Sequence, residues 1–408
     1  MYPDAVNRIE FNQTQTQSRR LAAVQAPVIP IVGRWTGETP GTISLGQGVV
    51  SYEPPPEAIE AAHRFGGTLT DHRYGPVEGL PRLVEAIEAK LARENHITVR
   101  PQSRLLVTAG GNQAFMNAVL AITDPDDEIV LLVPYYFNHE MAVVMAGAKA
   151  VAVATTSDYQ LDLRAIEAAI TPRTRAVVTV SPNNPTGAVY PESDLRAVNA
   201  LCRDRGIFHI HDEAYEYFTY GGVEHFSPGS LPDAAGHTIS LFSLSKAYGM
   251  ASWRVGYMVI PEVLYEAVNK IQDTILICPP AVSQHAALAA LEVCRSFAGA
   301  HLARLDDTRQ KIFAALSADD VPCDVPTADG AFYYLVRVHS SLDSMTLAER
   351  LIREHRVATI PGSAFADPAP CSVRISYGAL DSDSVIEGLG RLVGGLRSLA
   401  VARPASVR

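Results

Sequence analysis

The sequence is poor in cysteine, in long apolar runs and in clustered basic residues. Its five cysteines are scattered along 408 residues without a C-x-x-C pair or a histidine spacing typical of zinc, so they predict a reduced protein with no bound metal. No apolar run reaches the length of a membrane span, and the first residues lack the basic and apolar regions of a secretory signal. The formal net charge is −10, and lysine and arginine form no runs, which disfavours nucleic acid or an anionic membrane as a partner. We therefore expect a cytoplasmic protein that binds small molecules.

The rest of the composition is ordinary for a globular enzyme, with 47% hydrophobic and 19% charged residues in a chain long enough for two lobes. Between about 105 and 260, strand-like apolar runs alternate with helical stretches, a pattern that predicts a parallel sheet with helices on both faces. The polar residues 1–18 are expected to be loose, and the proline-rich stretch 25–30 is expected to be an extended arm. Separate helices are predicted near 282–293 and 298–316.

One short stretch, Ser243–Gly256, combines a lysine, two hydroxyls and an arginine just after a predicted buried strand. A lysine in a partly desolvated pocket favours its neutral amine, which can form a Schiff base with an aldehyde, so Lys246 is the candidate nucleophile. Ser243 and Ser245 are two residues apart, and with Arg254 they would suit a phosphate. A Ser-x-Ser-Lys run alone is also typical of an exposed turn, but ligands of open α/β sheets bind at this end of the strands.

These four residues resemble the pyridoxal-phosphate (PLP) lysine segment of the class I/II aminotransferases, which are fold type I enzymes. The same family pattern continues in an Asn-Pro-x-Gly motif at Asn184 and in Asp212 and Tyr215, which follow a predicted strand. It ends in an Arg-Ile-Ser strand at Arg374. The resemblance covers roughly residues 20–400, and its motifs stand in the family's order and spacing.

The resemblance implies an α/β fold with two domains. The large domain would hold a mostly parallel, seven-stranded sheet flanked by helices, and a smaller α+β domain would be built from both ends of the chain. The expected boundaries are a flexible N-terminal segment at 1–18, an arm and part of the small domain at 19–50, the large PLP-binding domain at 51–295, and the C-terminal small domain at 296–408.

The resemblance also implies a role for each matching residue. Lys246 would carry PLP as an aldimine, Asp212 would hold the pyridine nitrogen, and Tyr136 would stack on the ring; these three form the expected catalytic set. A carboxylate beside that nitrogen keeps the ring protonated, which makes it a full electron sink. The other residues expected to bind the cofactor are Gly111, Asn112, Asn184, Tyr215, Ser243, Ser245 and Arg254. The residues expected to contact the substrate are Gly48, Asn184 and Arg374.

Two of these assignments have a further physical reason. Gly111 and Asn112 lie between a predicted strand and a predicted helix, where backbone N–H groups can face an anion. Arg374 has a planar guanidinium that can bind the α-carboxylate of an amino acid through two parallel hydrogen bonds.

Tyr74 matches the family's tyrosine that reaches the PLP phosphate of the partner subunit. The resemblance therefore implies a homodimer with shared active sites. The sequence departs from the family after Gly48, where Val49–Tyr52 replaces the frequent Pro-Asp pair.

The function implied is a PLP-dependent aminotransferase that moves the amino group of an L-amino acid to a 2-oxo acid by ping-pong kinetics. The positions at 274–280 lack a basic residue, which favours a donor with a neutral side chain. The same residues would also serve a PLP-dependent lyase, cyclase or oxidase that diverts the same quinonoid intermediate, as in the aminocyclopropane-carboxylate synthases. A third reading, the aminotransferase-like sensor domain of some transcription regulators, would need an N-terminal helix-turn-helix domain, for which about 20 residues are too few.

Overall fold

The computed structural model describes residues 18–99 and 101–399. The segment predicted to be flexible, 1–18, lies outside the described residues except for Ser18. The helices are α1 (Arg19–Ala23), α2 (Val28–Glu38), α3 (Pro56–Arg64), α4 (Pro81–Lys90), α5 (Gly111–Ile122), α6 (Phe137–Ala146), α7 (Leu163–Ala169), α8 (Glu192–Arg205), α9 (Tyr265–Ile275), α10 (Ala281–Leu316), α11 (Ser344–His355) and α12 (Ser382–Leu399). The strands are β1 (Ile43–Ser44), β2 (Ser103–Thr108), β3 (Glu128–Val133), β4 (Lys149–Ala154), β5 (Thr174–Val180), β6 (Phe208–Asp212), β7 (Thr238–Ser243), β8 (Gly256–Pro261), β9 (Cys323–Asp324), β10 (Tyr333–Val338), β11 (Val357–Ala358), β12 (Ile360–Pro361) and β13 (Ser372–Ser376).

The large lobe is built on a seven-stranded sheet with the order β2-β8-β7-β6-β5-β3-β4. Neighbouring strands in this sheet are parallel, except that β8 is antiparallel to both β2 and β7. Apolar residues on successive positions of the central strands face opposite sides of the sheet, so both faces must be covered. Ile129 and Leu131 pack on α5 and α6, whereas Val130 and Leu132 pack on α7 and α8. Full burial of one such side chain is worth roughly 1.5–3 kcal/mol. The predicted fold class is confirmed.

The small lobe contains residues from both ends of the chain, as predicted. Its antiparallel sheet has the order β12-β13-β10-β9, and β1 pairs in parallel with β11 through Ile43 opposite Val357. Helix α2 packs on α11, and α12 packs on both α10 and α11.

Helix α10 connects the two lobes, because it packs on α3 and α4 of the large lobe and on α12 of the small lobe. The prediction of separate helices near 282–293 and 298–316 is wrong, since α10 runs without a break through 36 residues. The domain boundary at 295/296 stays a prediction, and it lies within this helix. In the two described ranges, no helix is both long and apolar enough to cross a lipid bilayer.

The stretch predicted to be an extended arm, 25–30, is extended only up to Pro27, and α2 begins at Val28. Pro30 lies in the first turn of this helix. The first four backbone N–H groups of a helix have no partner within it, so a proline there removes no hydrogen bond. The sequence prediction treated Pro30 as a helix breaker at a position where it is tolerated.

Candidate active site

A cavity of about 440 Å³ opens where the carboxyl ends of β5, β6 and β7 meet the small lobe. Twelve of the thirteen predicted site residues line it, namely Gly48, Gly111, Asn112, Tyr136, Asn184, Asp212, Tyr215, Ser243, Ser245, Lys246, Arg254 and Arg374. The thirteenth, Tyr74, lies elsewhere. Residues separated by more than 300 positions in the sequence therefore share one concave site, at the edge of the sheet where open α/β folds bind ligands.

One end of the cavity has the composition of an anion site. Arg254 donates a hydrogen bond to the Ser245 hydroxyl at 3.3 Å and to two backbone carbonyls, and Ser243 ends β7. Helix α5 begins at Gly111, so the N–H groups of its first turn face this end without partners within the helix. A side chain at Gly110, whose φ is +80°, would collide with the Arg254 guanidinium. The close approach of helix, serines and arginine thus depends on that glycine.

Lys246 lies between this end and the small lobe. Its Nζ donates to the Gly48 carbonyl at 2.5 Å. Burial is the largest cause that lowers the pKa of Lys246 to about 8; the nearby Arg374 and Arg254 guanidinium groups contribute to this shift, and the Asp212 carboxylate opposes it. A neutral amine, the nucleophilic form, is therefore accessible near neutral pH.

Asp212 ends β6, and its two carboxylate oxygens have different neighbours. Its Oδ1 accepts from the Ala214 backbone N–H at 3.0 Å, and its Oδ2 lies 3.1 Å from Nε2 of His139. His139 is 3% exposed and its ring stacks on Phe115 with centroids 3.9 Å apart. The sequence prediction missed His139. It lies three residues after Tyr136 on the first turn of α6, and nothing in the sequence indicates that this turn reaches the end of β6.

A hydrogen-bonded group of four side chains joins the large lobe to Arg374. Asn184 donates to the Tyr215 hydroxyl at 3.4 Å and accepts from Arg374 Nη1 at 2.9 Å. The hydroxyls of Tyr215 and Tyr333 are 2.7 Å apart. Tyr333 is fully buried, lines the cavity and was also missed, because it stands in an apolar run typical of a core strand.

Arg374 is the most enclosed cation of the cavity, with 2% of its surface exposed. Its Nη2 donates to the Gly46 carbonyl at 2.7 Å, and its guanidinium lies over the rings of Tyr333 and Phe365 at 4.6 and 4.9 Å. Its Nε finds no hydrogen-bond partner among the described residues. A buried donor left unpaired costs roughly 1–3 kcal/mol. A carboxylate in the cavity would remove that cost.

Tyr136 caps the start of α6 and lies beside Asp212. Its hydroxyl accepts from Asn138 Nδ2 at 2.8 Å and approaches Asn112 Oδ1 at 3.4 Å. Burial raises the pKa of Tyr136, and the Asp212 carboxylate adds to the shift, so the phenol stays protonated. Its ring is therefore available as an uncharged flat surface.

Helix α2 forms a further wall that the sequence prediction did not include. Ile29, Val32, Gly33 and Thr36 line the cavity from this helix, and Phe137 and Ile360 lie next to them. The wall carries no charged side chain.

Tyr74 is 81% exposed and lies in a separate surface hollow beside Cys278 and Pro279. The structure does not bring it to the cavity of its own chain. Its predicted role across a dimer stays a prediction.

The chain is similar in sequence to proteins of one known family. Residues 40–392 match the model of aminotransferase class I and II. An aromatic aminotransferase of Arabidopsis thaliana is 34% identical over 94% of this chain and 96% of its own length. An aspartate/prephenate aminotransferase of Thermus thermophilus is 36% identical, over 86% and 91% respectively.

Solved structures agree with the sequence relatives. The Thermus thermophilus aspartate aminotransferase solved with maleate superposes with a TM-score of 0.85 and 34% identity, over 93% of this chain and 99% of that one. The aromatic aminotransferase of Pyrococcus horikoshii superposes with a TM-score of 0.82 and 31% identity, over 90% and 99%. The family and the enzyme class predicted from the sequence are confirmed: the chain belongs to the class I and II aminotransferases.

Proposed function

We propose that the protein is a PLP-dependent transaminase whose amino donor has a neutral side chain. One observation carries the proposal. The same cavity is lined by a lysine of low pKa and by a buried arginine, Arg374, one nitrogen of which has no hydrogen-bond partner within 18–99 and 101–399. An amino acid is the small molecule that presents an amine to one of these groups and a carboxylate to the other.

The residues present fit PLP as the cofactor. Arg254, Ser243, Ser245 and the first turn of α5 offer the donors that a phosphate needs, and Asp212 offers the carboxylate that a pyridine nitrogen needs. Bound PLP supplies an aldehyde that condenses with amines and a ring that withdraws electrons from the donor's Cα. Tyr136 would support that ring, while Asn184 and Tyr215 would face its phenolic oxygen.

The chain's own residues would bind the donor, move its proton and position the cofactor's carboxylate partner. Arg374 would orient the α-carboxylate through Nε and a neighbouring Nη, because Asn184 and the Gly46 carbonyl already fix the guanidinium plane. Lys246 Nζ, whose pKa of about 8 leaves it largely neutral above about pH 8, would accept the proton from the donor's Cα. His139 would act as a positioning residue, because its Nε2 lies 3.1 Å from Oδ2 of Asp212 and the histidine ring itself is buried.

The neutral donor follows from the charges around the cavity. Among the described residues that line it, the charged ones are Asp212, Lys246, Arg254 and Arg374. Each already has a role with the cofactor or the α-carboxylate, so this chain's own lining residues leave none to pair with a second carboxylate. A side-chain carboxylate buried against the uncharged α2 wall would lose its hydration without gaining a partner.

We also propose that the protein is a cytoplasmic homodimer with shared sites. The support is a set of exposed apolar side chains, Tyr74 at 81%, Leu69 at 71% and Ile275 at 54% exposure. Leu69 and Ile275 are close in sequence to Asp71 and Leu276, which line the same surface hollow as Tyr74. A second subunit on this surface would cover those side chains and place Tyr74 within reach of another cavity.

A half-reaction screen tests the function. The protein loaded with PLP is mixed with single amino acids, and its absorbance spectrum and the released 2-oxo acid are measured. We expect neutral donors to convert the cofactor to its amine form with one 2-oxo acid per site, and aspartate and glutamate to react far more slowly. Lys246→Ala is the control that should release none.

Two outcomes would contradict the proposal. If aspartate or glutamate were the fastest donors, the assignment of a neutral side chain would be wrong. If the donor were consumed without one equivalent of 2-oxo acid and amine cofactor, the enzyme would belong with the lyases, cyclases or oxidases.

A further inference from the structure

The α2 wall contains a gap. The cavity-lining residues of this helix, Ile29, Val32, Gly33 and Thr36, follow the spacing i, i+3, i+4, i+7 and so share one helical face. Three of them carry β-branched side chains, whereas Gly33 carries none. We call this gap the Gly33 notch.

Nothing in the packing of α2 requires glycine at this position. Gly33 lies inside an 11-residue helix, where glycine is among the least favourable residues, and its φ is not positive. A Cβ at Gly33 would meet no atom of residues 18–99 or 101–399 within 4 Å. The missing side chain leaves space at the cavity wall, and it avoids no clash.

The notch lies at the end of the cavity that receives the donor's side chain. Ile360 stands opposite Arg374 in the pairing of β12 with β13, and it packs in the same apolar cluster as Val32 and Phe365. The anion site of Arg254 is built by other elements, the start of α5 and the end of β7. A donor held at its α-carboxylate by Arg374, with its amine toward Lys246, therefore extends its side chain toward the α2 wall.

We propose that Gly33 is the residue that admits a bulky aromatic side chain to the site. The ring lies against Ile29 and Val32 and occupies the Gly33 notch, which a small side chain such as that of alanine does not reach. This inference rests on the proposed function and narrows its donor to aromatic amino acids.

Gly37 offers a matched control one helical turn further along α2. It is also an exposed glycine of this helix, and a Cβ there would likewise meet no atom within 4 Å, but it does not line the cavity. Leucine at either position improves helix propensity to the same extent, so Gly33→Leu and Gly37→Leu differ in where the new side chain points.

The test measures discrimination in two ways on the PLP-loaded protein. Calorimetry gives the dissociation constants of two unreactive carboxylates, propanoate and 3-phenylpropanoate. Steady-state kinetics give kcat/KM for alanine and phenylalanine. In Gly33→Leu we expect the preference for the phenyl compound to fall roughly tenfold to a hundredfold in both measurements, since a filled pocket rejects a group of that size. Gly33→Ala should lie between wild type and Gly33→Leu, and Gly37→Leu should keep the wild-type preference.

The inference is overturned if Gly33→Leu keeps the wild-type binding preference, or if Gly37→Leu loses as much of it. The proposed function fails separately, if the wild-type protein transfers no amino group from any donor. The binding measurement involves no transfer, so the two failures are distinguishable.

Discussion

The low pKa of Lys246 leads to a specific expectation for the pH dependence of its reactivity. Burial, with help from the Arg374 and Arg254 guanidinium groups, lowers this pKa from 10.5 to about 8, and the Asp212 carboxylate opposes the change. At pH 7.5 roughly a quarter of the amine is then neutral, against about one molecule in a thousand for a lysine of ordinary pKa. The reactive fraction is larger by roughly 200-fold.

Trace labelling of the cofactor-free protein with acetic anhydride measures that fraction. Mass spectrometry reports acetylation of Lys246 relative to a reference amine that lacks a carboxylate and an aromatic ring, corrected for the titration of that amine, and Lys246→Ala identifies signal from other sites. Because only the neutral amine reacts, we expect labelling to rise up to about pH 8 and to level off by about pH 9. The contribution of Lys246 to the free energy of unfolding should also rise between about pH 8 and 10.5, because only the unfolded chain holds the proton on this amine there; it is measured as the difference between wild type and Lys246→Ala.

Two variants of Arg374 distinguish the effect of its charge on the pKa of Lys246 from the effect of burial. Arg374→Met removes a cation that lowers the pKa, so the midpoint of labelling should move to higher pH. Arg374→Lys keeps the charge and should move the midpoint little. The reasoning would be refuted by labelling that keeps rising tenfold per pH unit up to pH 10, or by a midpoint that moves to lower pH in Arg374→Met.

Three further predictions concern the site and the proposed dimer. Asp212→Asn should retain PLP, measured by absorbance, yet lose most turnover, because an amide cannot hold a pyridinium proton; near-normal turnover would refute the assignment. Arg374→Lys should lower kcat/KM by roughly ten- to a hundredfold at normal cofactor content, since one charge-assisted hydrogen bond is worth about 1.5–3 kcal/mol, and loss of PLP would instead place Arg374 at the cofactor. The last prediction uses a dimer mixed from Tyr74→Phe and Lys246→Ala subunits, in which one site should carry both substitutions and the other neither. The cofactor affinity at the site that retains Lys246 should then equal that of wild type. An affinity weakened as in the Tyr74→Phe homodimer would show that Tyr74 serves its own chain.

The sequence predicted the fold class and most of the candidate site on two different grounds. The alternation of strands and helices predicted the parallel sheet but not the order of its strands, whereas the resemblance to the class I/II aminotransferases assigned most site residues, some of which, such as Asp212 and Ser243, stand at strand ends. A motif directly after a strand indicates the position of its residues well, because the strand fixes where the following loop begins.

The residues that were missed depend on contacts between distant elements. His139 matters only because the start of α6 meets the end of β6, and Tyr333 only because β10 brings its hydroxyl to Tyr215. Contacts of this kind are set by tertiary packing, which the propensity of single residues does not predict. The Gly33 notch was missed for a local reason, because Pro27 and Pro30 led to the prediction of an extended arm where α2 begins.

The pairing of β1 with β11 has a consequence for synthesis on the ribosome. Ile43 and Val357 are partners, so the first strand of the small lobe is made 314 residues before the strand that it joins. At 5–20 residues per second this is a delay of about 15–60 s, long enough for the large sheet to emerge and form. During that time the apolar face of α2 has no α11 to pack on, and it is exposed to chaperones and proteases. We expect protease to cut ribosome-stalled chains of about 340 residues within 28–38 but to spare that segment in the released protein, and equal protection in both would show that α2 finds another partner first.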